Sequence, residues 1–274
     1  MNIPQMEQKY ADLIKSIKVR RAVVYAITIA VTVSVILLTI PLKLELMGEV
    51  IADREGLHPA LIALLAVLCV LVGALAYGFV SIPLVASLNQ ECDPEKQLIL
   101  NLKINKRKDA YLNTVAPYFY LGEYNDSLNC AMKMAGSPKD TVRLTGLFNK
   151  SRCEFMLGHK EYLKMTAEQY NGLLKESNKI SIKQRAIYEK LGDCISLMRA
   201  ISENDGEEIV LLSKSVTPWN NYAATVGFIN YLKGMSACIV GDRDEAVYRF
   251  RSVMEACGRT VLASLSERNL SLLD

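Results

Sequence analysis

AVVYAITIAVTVSVILLTIPL, residues 22–42, and PALIALLAVLCVLVGALAYGFV, residues 59–80, decide how this chain is read, and neither run carries a charge. A helix rises about 1.5 Å per residue, so the first run reaches roughly 31 Å, the depth of a bilayer's hydrocarbon core. A soluble protein can bury one such helix. Two in succession, each apolar on every face, predict a transmembrane helical hairpin over residues 22–88, with spans at about 22–42 and 60–82.

The flanks set the direction. Lys9, Lys15, Lys18, Arg20 and Arg21 precede the first span, and Lys96, Lys103, Lys106, Arg107 and Lys108 follow the second. The short polar loop between them holds Lys43 and Arg54 against Glu45, Glu49, Asp53 and Glu55. Bases near span ends stay on the cytoplasmic side, so an integral, two-pass protein with both termini cytoplasmic is expected. The first run exceeds the 7–15 residues of a signal-peptide core, and IPLK at 40–43 offers no small-x-small cleavage site. It reads as an uncleaved anchor.

Within the spans, Ala22, Ala26, Ala30 and Ser34 recur at intervals of four, and Cys69, Gly73 and Ala76 at four and three. Small residues let membrane helices approach closely, so these two stripes are expected to pack the spans together, with oligomerisation as their alternative use. Neither span carries Asp, Glu, Lys, Arg or His, which points to an anchor rather than an ion path.

Residues 1–21 form a basic cytoplasmic segment in which Met6, Tyr10, Leu13, Ile14 and Ile17 recur at helical spacing. It reads as a helical extension of the first span or as a helix lying on anionic lipid. Residues 89–108 read as a basic juxtamembrane linker helix. Pro83 kinks or ends the second span, and Pro94 opens the next helix. Lys103, Lys106, Arg107 and Lys108 are candidates for lipid-headgroup contact, against simple retention on the cytoplasmic side.

The 274 residues hold 32 Lys and Arg against 29 Asp and Glu, a net charge of +3 with no concentrated basic face, so nucleic acid is not the expected partner. The seven cysteines are scattered singly and read as reduced, buried thiols rather than zinc ligands or a disulfide framework. The two histidines, His58 and His159, sit in no metal-ligand spacing, and there is no phosphate-cradling glycine loop or nucleophile elbow. Asp242, Asp244 and Glu245 read as a helix start. No catalytic residue, cofactor or metal is expected, and the chain is read as no enzyme.

From residue 109 onward helical stretches alternate with glycine turns at Gly122, Gly158, Gly206 and Gly241, spaced by 36, 48 and 35 residues. YLKGMSACIVGDRDEAVYRFRSVMEAC, residues 231–257, places Gly234, Gly241, Ala246 and Phe250 in order. YLNTVAPYFYLGEYNDSLNCAMKMA, residues 111–135, places Tyr111, Tyr118, Gly122, Tyr124 and Ser127 likewise, with Pro138 closing the unit. Both units resemble the tetratricopeptide repeat, whose period is about 34 residues. The middle units depart from that pattern, with Leu163 and Leu211 at their helix crossings and a longer helix over 182–202. The expected fold is all-α: the hairpin, then a TPR-like α-solenoid over 109–274, with a capping helix at 260–272.

The resemblance implies a protein- or peptide-binding concave face lined by the first helix of each pair. The matching positions include Leu112, Phe119, Tyr120, Phe148, Arg152, Phe155, Phe228, Tyr231 and Met235. They lack the lysine and asparagine arrangement of relatives that clamp a peptide's terminal carboxylate. The alternative for these side chains is a solenoid closed on itself, which would bury them. The expected function is a membrane-tethered adaptor presenting this surface to a cytoplasmic protein or peptide. The alternative is an accessory subunit of a larger membrane complex recognised through its hairpin. Membrane lipids are the other expected partner, and an oligomer is open.

Overall fold

In the computed structural model the described residues, 2–39, 42–46, 49–54, 59–104, 111–178 and 180–273, form thirteen helices and one two-stranded ribbon. They divide into two compact units, Tyr10–Pro83 on one side and Leu84–Asp274 with Met1–Lys9 on the other. Helix α1 (Ile3–Lys9) belongs to the larger unit.

The smaller unit holds α2 (Ala11–Thr39), strands β1 (Leu42–Leu46) and β2 (Glu49–Arg54), and α3 (Pro59–Asn89) as far as Pro83. The segment expected as a polar loop thus contains an antiparallel ribbon, with Leu42 opposite Arg54, Leu46 opposite Glu49, and an irregularity between Leu44 and Glu45. Helix α2 runs unbroken from the basic segment into the first apolar run. Large apolar side chains stand exposed on α2 (Val23, Tyr25, Ile27, Ile29, Leu37) and on α3 (Val67, Val70, Val72, Leu75). The hydroxyls of Thr28 and Thr32 donate to the carbonyls of Val24 and Thr28 at 2.8 Å, so neither needs water.

The two helices touch where a Cβ on Gly73 would lie 3.3 Å from Thr28 Cγ2. Cys69, Gly73 and Ala76 lie on the half-buried face of α3, together with Leu65. On α2 the expected stripe is corrected. Ala22, Ala26, Ala30 and Ser34 are exposed, and the half-buried face carries Arg21, Val24, Thr28 and Val35. A four-residue step overshoots the helical turn by about 40°, so such a stripe winds away from a neighbour that the 21, 24, 28, 35 series keeps facing.

The larger unit continues with α4 (Pro94–Ile104), α5 (Tyr111–Tyr120), α6 (Tyr124–Ala135), α7 (Asp140–Met156), α8 (Lys160–Glu176) and α9 (Ile182–Glu203). Then come α10 (Gly206–Ser215), α11 (Ala223–Val240), α12 (Arg243–Cys257) and α13 (Val261–Leu273). From α4 each helix packs on the next, and α5, α7, α9, α11 and α13 also pack in succession. The odd-numbered helices therefore form one layer and the even-numbered ones lean against it, which is a stack of helix pairs. Among the described residues one helix is long and apolar enough on its own to cross a membrane. It is α11, 56% buried inside this stack, while the described apolar stretch of α3, Leu64–Ala76, is shorter.

One register mark repeats. Gly122, Gly158 and Gly241 have φ of 81°, 72° and 79°, and Asn204 has φ of 59°. The residue five places after each, Ser127, Leu163, Ala246 and Ile209, is fully buried at the crossing of its pair. This corrects the third turn. Gly206 opens α10 after the Asp205 cap, and Leu211 is 72% exposed, so the left-handed residue is Asn204 and the crossing residue is Ile209. Asparagine, like glycine, tolerates the left-handed region that ends a helix.

The stack curls until its ends meet. Phe119 on α5 packs edge-on against Phe228 on α11 at 5.6 Å, and the Tyr120 hydroxyl donates to the Ala224 carbonyl at 2.7 Å. A Cβ on Gly122 would meet Val261 of α13 at 3.2 Å. The segment read as a linker belongs to this fold: Leu98, Ile99 and Leu100 are fully buried, and α4 packs on both α5 and α1. Lys103 is paired with Glu7 at 2.5 Å, and Lys106, Arg107 and Lys108 lie outside the described residues.

Candidate functional site

Helix α7 supplies the centre. Thr145, Phe148, Asn149 and Arg152 share one face, while Gly146 presses the other against the α6 backbone. The Asn149 amide donates to the Thr145 carbonyl at 2.9 Å, which turns its Oδ1 toward Arg152, whose Nη1 donates to it at 3.3 Å. The guanidinium lies 3.7 Å from the ring centre of Phe119, 4.4 Å from Phe228, 5.0 Å from Tyr120 and 5.5 Å from Phe148. Arg152 is 3% exposed, and its Nε and Nη2 have no hydrogen-bond partner.

Above this residue lies a cleft of about 480 Å³. Helix α9 contributes Ile187, Tyr188 and Leu191 to its wall, and the segment between α10 and α11 contributes Trp219, Asn220 and Tyr222. Trp219 stands edge-on to Phe148 at 5.1 Å, and the Tyr188 hydroxyl donates to the Thr141 carbonyl at 3.1 Å. Burial pushes the Tyr120 phenol up to about 12 although the Arg152 charge pulls it down, so it remains a neutral donor tying α5 to α11. Among the described residues no acidic side chain and no second base lines the cleft.

The expected open groove is corrected here. Phe119, Tyr120, Phe148, Arg152, Phe228 and Tyr231 are buried, and Leu112, Phe155 and Met235 are half-buried. Leu112 packs in a separate cluster with Val115, Ala131 and Met134, and the other eight lie inside the stack, where the α5–α11 contact removes the concave opening. Of the nine, Tyr120, Phe148 and Arg152 line the cleft that remains. Trp219, Tyr222, Asn149 and Tyr188 were not among the expected site residues. Trp219, as the chain's single tryptophan following Pro218 in a break between helices, was the available signal.

Elsewhere, Cys92 and Cys257 bring their sulfurs to 2.9 Å, and Arg259 pairs with Asp93 at 2.9 Å. Among the described residues no group of three or more His, Cys, Asp or Glu side chains is placed to hold a metal ion. The fold and cleft define a class, a helix-pair stack closed over an arginine-floored aromatic cleft. Comparison with family models, curated proteins and solved structures finds no match.

Proposed function

We propose that this chain is a membrane-tethered adaptor. Residues 22–88 form a two-span anchor with both termini cytoplasmic, and a TPR-like stack presents its cleft to a cytoplasmic protein or peptide. The anchor is supported by the two charge-free runs, by the basic flanks, and by α2 and α3 exposing large apolar side chains that water would penalise and lipid tails would not. The observation that carries recognition is the cleft itself, an aromatic-walled opening of about 480 Å³ with the buried Arg152 in its lining.

A second reading has its own support. The Ala22, Ala26, Ala30 and Ser34 stripe is unused within the chain, which leaves a small-residue face free for another membrane helix. On that reading the chain is an accessory subunit held through its hairpin. Crosslinking capture from intact membranes separates the two. The adaptor loses its partner on Trp219→Ala and keeps it when Ala26 and Ala30 are replaced by leucine; the subunit does the reverse. For topology, an impermeant thiol reagent on intact cells should label Glu49→Cys and spare Cys130 and Cys238. Labelling of either native cysteine without permeabilisation overturns the cytoplasmic placement.

A further inference from the structure

We infer that Arg152 is the receptor for a single carboxylate, whose apolar remainder lies against the aromatic wall of the cleft. A buried cation is ordinarily paired, because desolvating it is costly. Here the four surrounding rings offset part of that cost through their faces but leave the Nε and Nη2 N–H groups without a hydrogen-bond partner. The acid nearest along the helix, Glu154, is engaged by Lys150 instead, at 3.6 Å.

Which N–H groups are unused decides the ligand. Nη1 is taken by Asn149, while Nε and Nη2 have no partner. Those two form one edge of the planar guanidinium and donate in parallel, the fork that matches the two oxygens of a carboxylate. The charge count among the described residues agrees: one cation, with no lysine, histidine or second arginine in the lining, balances a monoanion and leaves a phosphate dianion uncompensated. Trp219, Phe148 and Tyr222 offer rings to the rest of the molecule. Both free N–H groups are closed off from solvent, so an acid reaching them rearranges the ring cluster, Trp219 included.

This inference rests on the cleft being a recognition site, and the chain's only tryptophan reports on it directly. Full-length protein in detergent is titrated with 3-phenylpropionate, its neutral amide, phenyl phosphate, and a short peptide ending in phenylalanine with its carboxyl free or amidated. The expected result is a saturable change in Trp219 fluorescence with one or both free acids and none with the amides. A response to 3-phenylpropionate identifies a small acid as sufficient; a response to the free-acid peptide alone assigns the carboxylate to a peptide. Arg152→Lys keeps the charge but loses the fork and should weaken binding at least about tenfold. Should that variant fail to fold, the wild-type comparison still decides, since equal response to acid and amide, stronger response to phenyl phosphate, or no response to any acid overturns the inference. Loss of partner capture in Trp219→Ala without any acid response overturns the carboxylate and leaves the adaptor standing; an acid response without partner capture does the opposite.

Discussion

Adding one methyl group at Gly146 should loosen the whole site, because that position holds α7 against α6. A Cβ there would overlap the Ala135 backbone nitrogen and lie 2.6 Å from the Met134 carbonyl carbon and 2.7 Å from Met134 Cβ. Non-bonded carbons prefer about 3.5–4.0 Å, and backbone cannot rotate aside as a side chain can, so the helices must part by roughly 1 Å. Overpacking of this kind costs about 1–3 kcal/mol, and contact with backbone puts Gly146→Ala at the upper end. Alanine returns about 1 kcal/mol of helix propensity. The net loss is about 2 kcal/mol, a fall in melting temperature of about 4–8 °C for a unit this size. Gly172 in α8 is the internal control, since nothing lies within 4 Å of its Cβ position. Gly172→Ala should gain up to about 1 kcal/mol. Both are read by circular-dichroism melts of the full chain in detergent. A Gly146→Ala protein melting at or above the wild type would refute the close approach.

Three further outcomes follow from burial. Phe119→Ala should cost about 3–5 kcal/mol, as expected for a fully enclosed aromatic, and an unchanged melting temperature would restore the open groove. Burial raises the Glu154 carboxyl above its ordinary value, opposed by Thr166 and Lys150. The folded chain then holds that proton more tightly than the unfolded one, a stabilisation fully present below the ordinary carboxylate value and lost as pH rises through the raised one. Glu154→Gln should therefore be more stable than wild type at pH 7 and show a flatter rise on acidification; identical pH profiles would contradict this. The hydrogen bond between Cys92 and Cys257 lowers the first thiol and raises the second, favouring attack by Cys92. Diamide should join the pair in the wild type but not in Cys257→Ala, as a mobility shift on non-reducing gels, and no such shift in the wild type would place the sulfurs further apart.

Local devices were legible in the sequence. Gly122, Gly158 and Gly241 mark turns because only a left-handed residue closes them, and Gly234 faces the Phe250 ring, 2.7 Å from its Cε1 at the Cβ position, as a close helix crossing requires. Pro94 opens α4, and α9 begins at Ile182 behind a capping box of Ser181 and Gln184. The third turn was misplaced because glycine outranks asparagine as a signal, though Asn204 does the same work. The ribbon was missed although Leu42, Leu44 and Leu46 alternate with Lys43 and Glu45 at the strand period. The groove was misread for a different reason. Aromatic side chains at first-helix positions look the same in an open solenoid and a closed one, and the contact that closes it joins Phe119 to Phe228, residues no local pattern connects. Arg152 stood among the expected residues, but its lack of a counter-ion is a property of three-dimensional packing alone.

Closure also changes how this domain must fold. An open array of helix pairs behaves as a chain of nearest neighbours, able to nucleate anywhere and to fray from either end. Here the Tyr120–Ala224 hydrogen bond spans 104 residues, and the Cys92–Cys257 contact spans 165. Those links form only after the intervening helices are in place, so their loop-closure entropy is lost before their energy is recovered. Folding is accordingly slower than local helix pairing alone would allow. Once the ring is shut, deleting the last pair removes support from the first, and the array is lost as a whole rather than peeled back one repeat at a time.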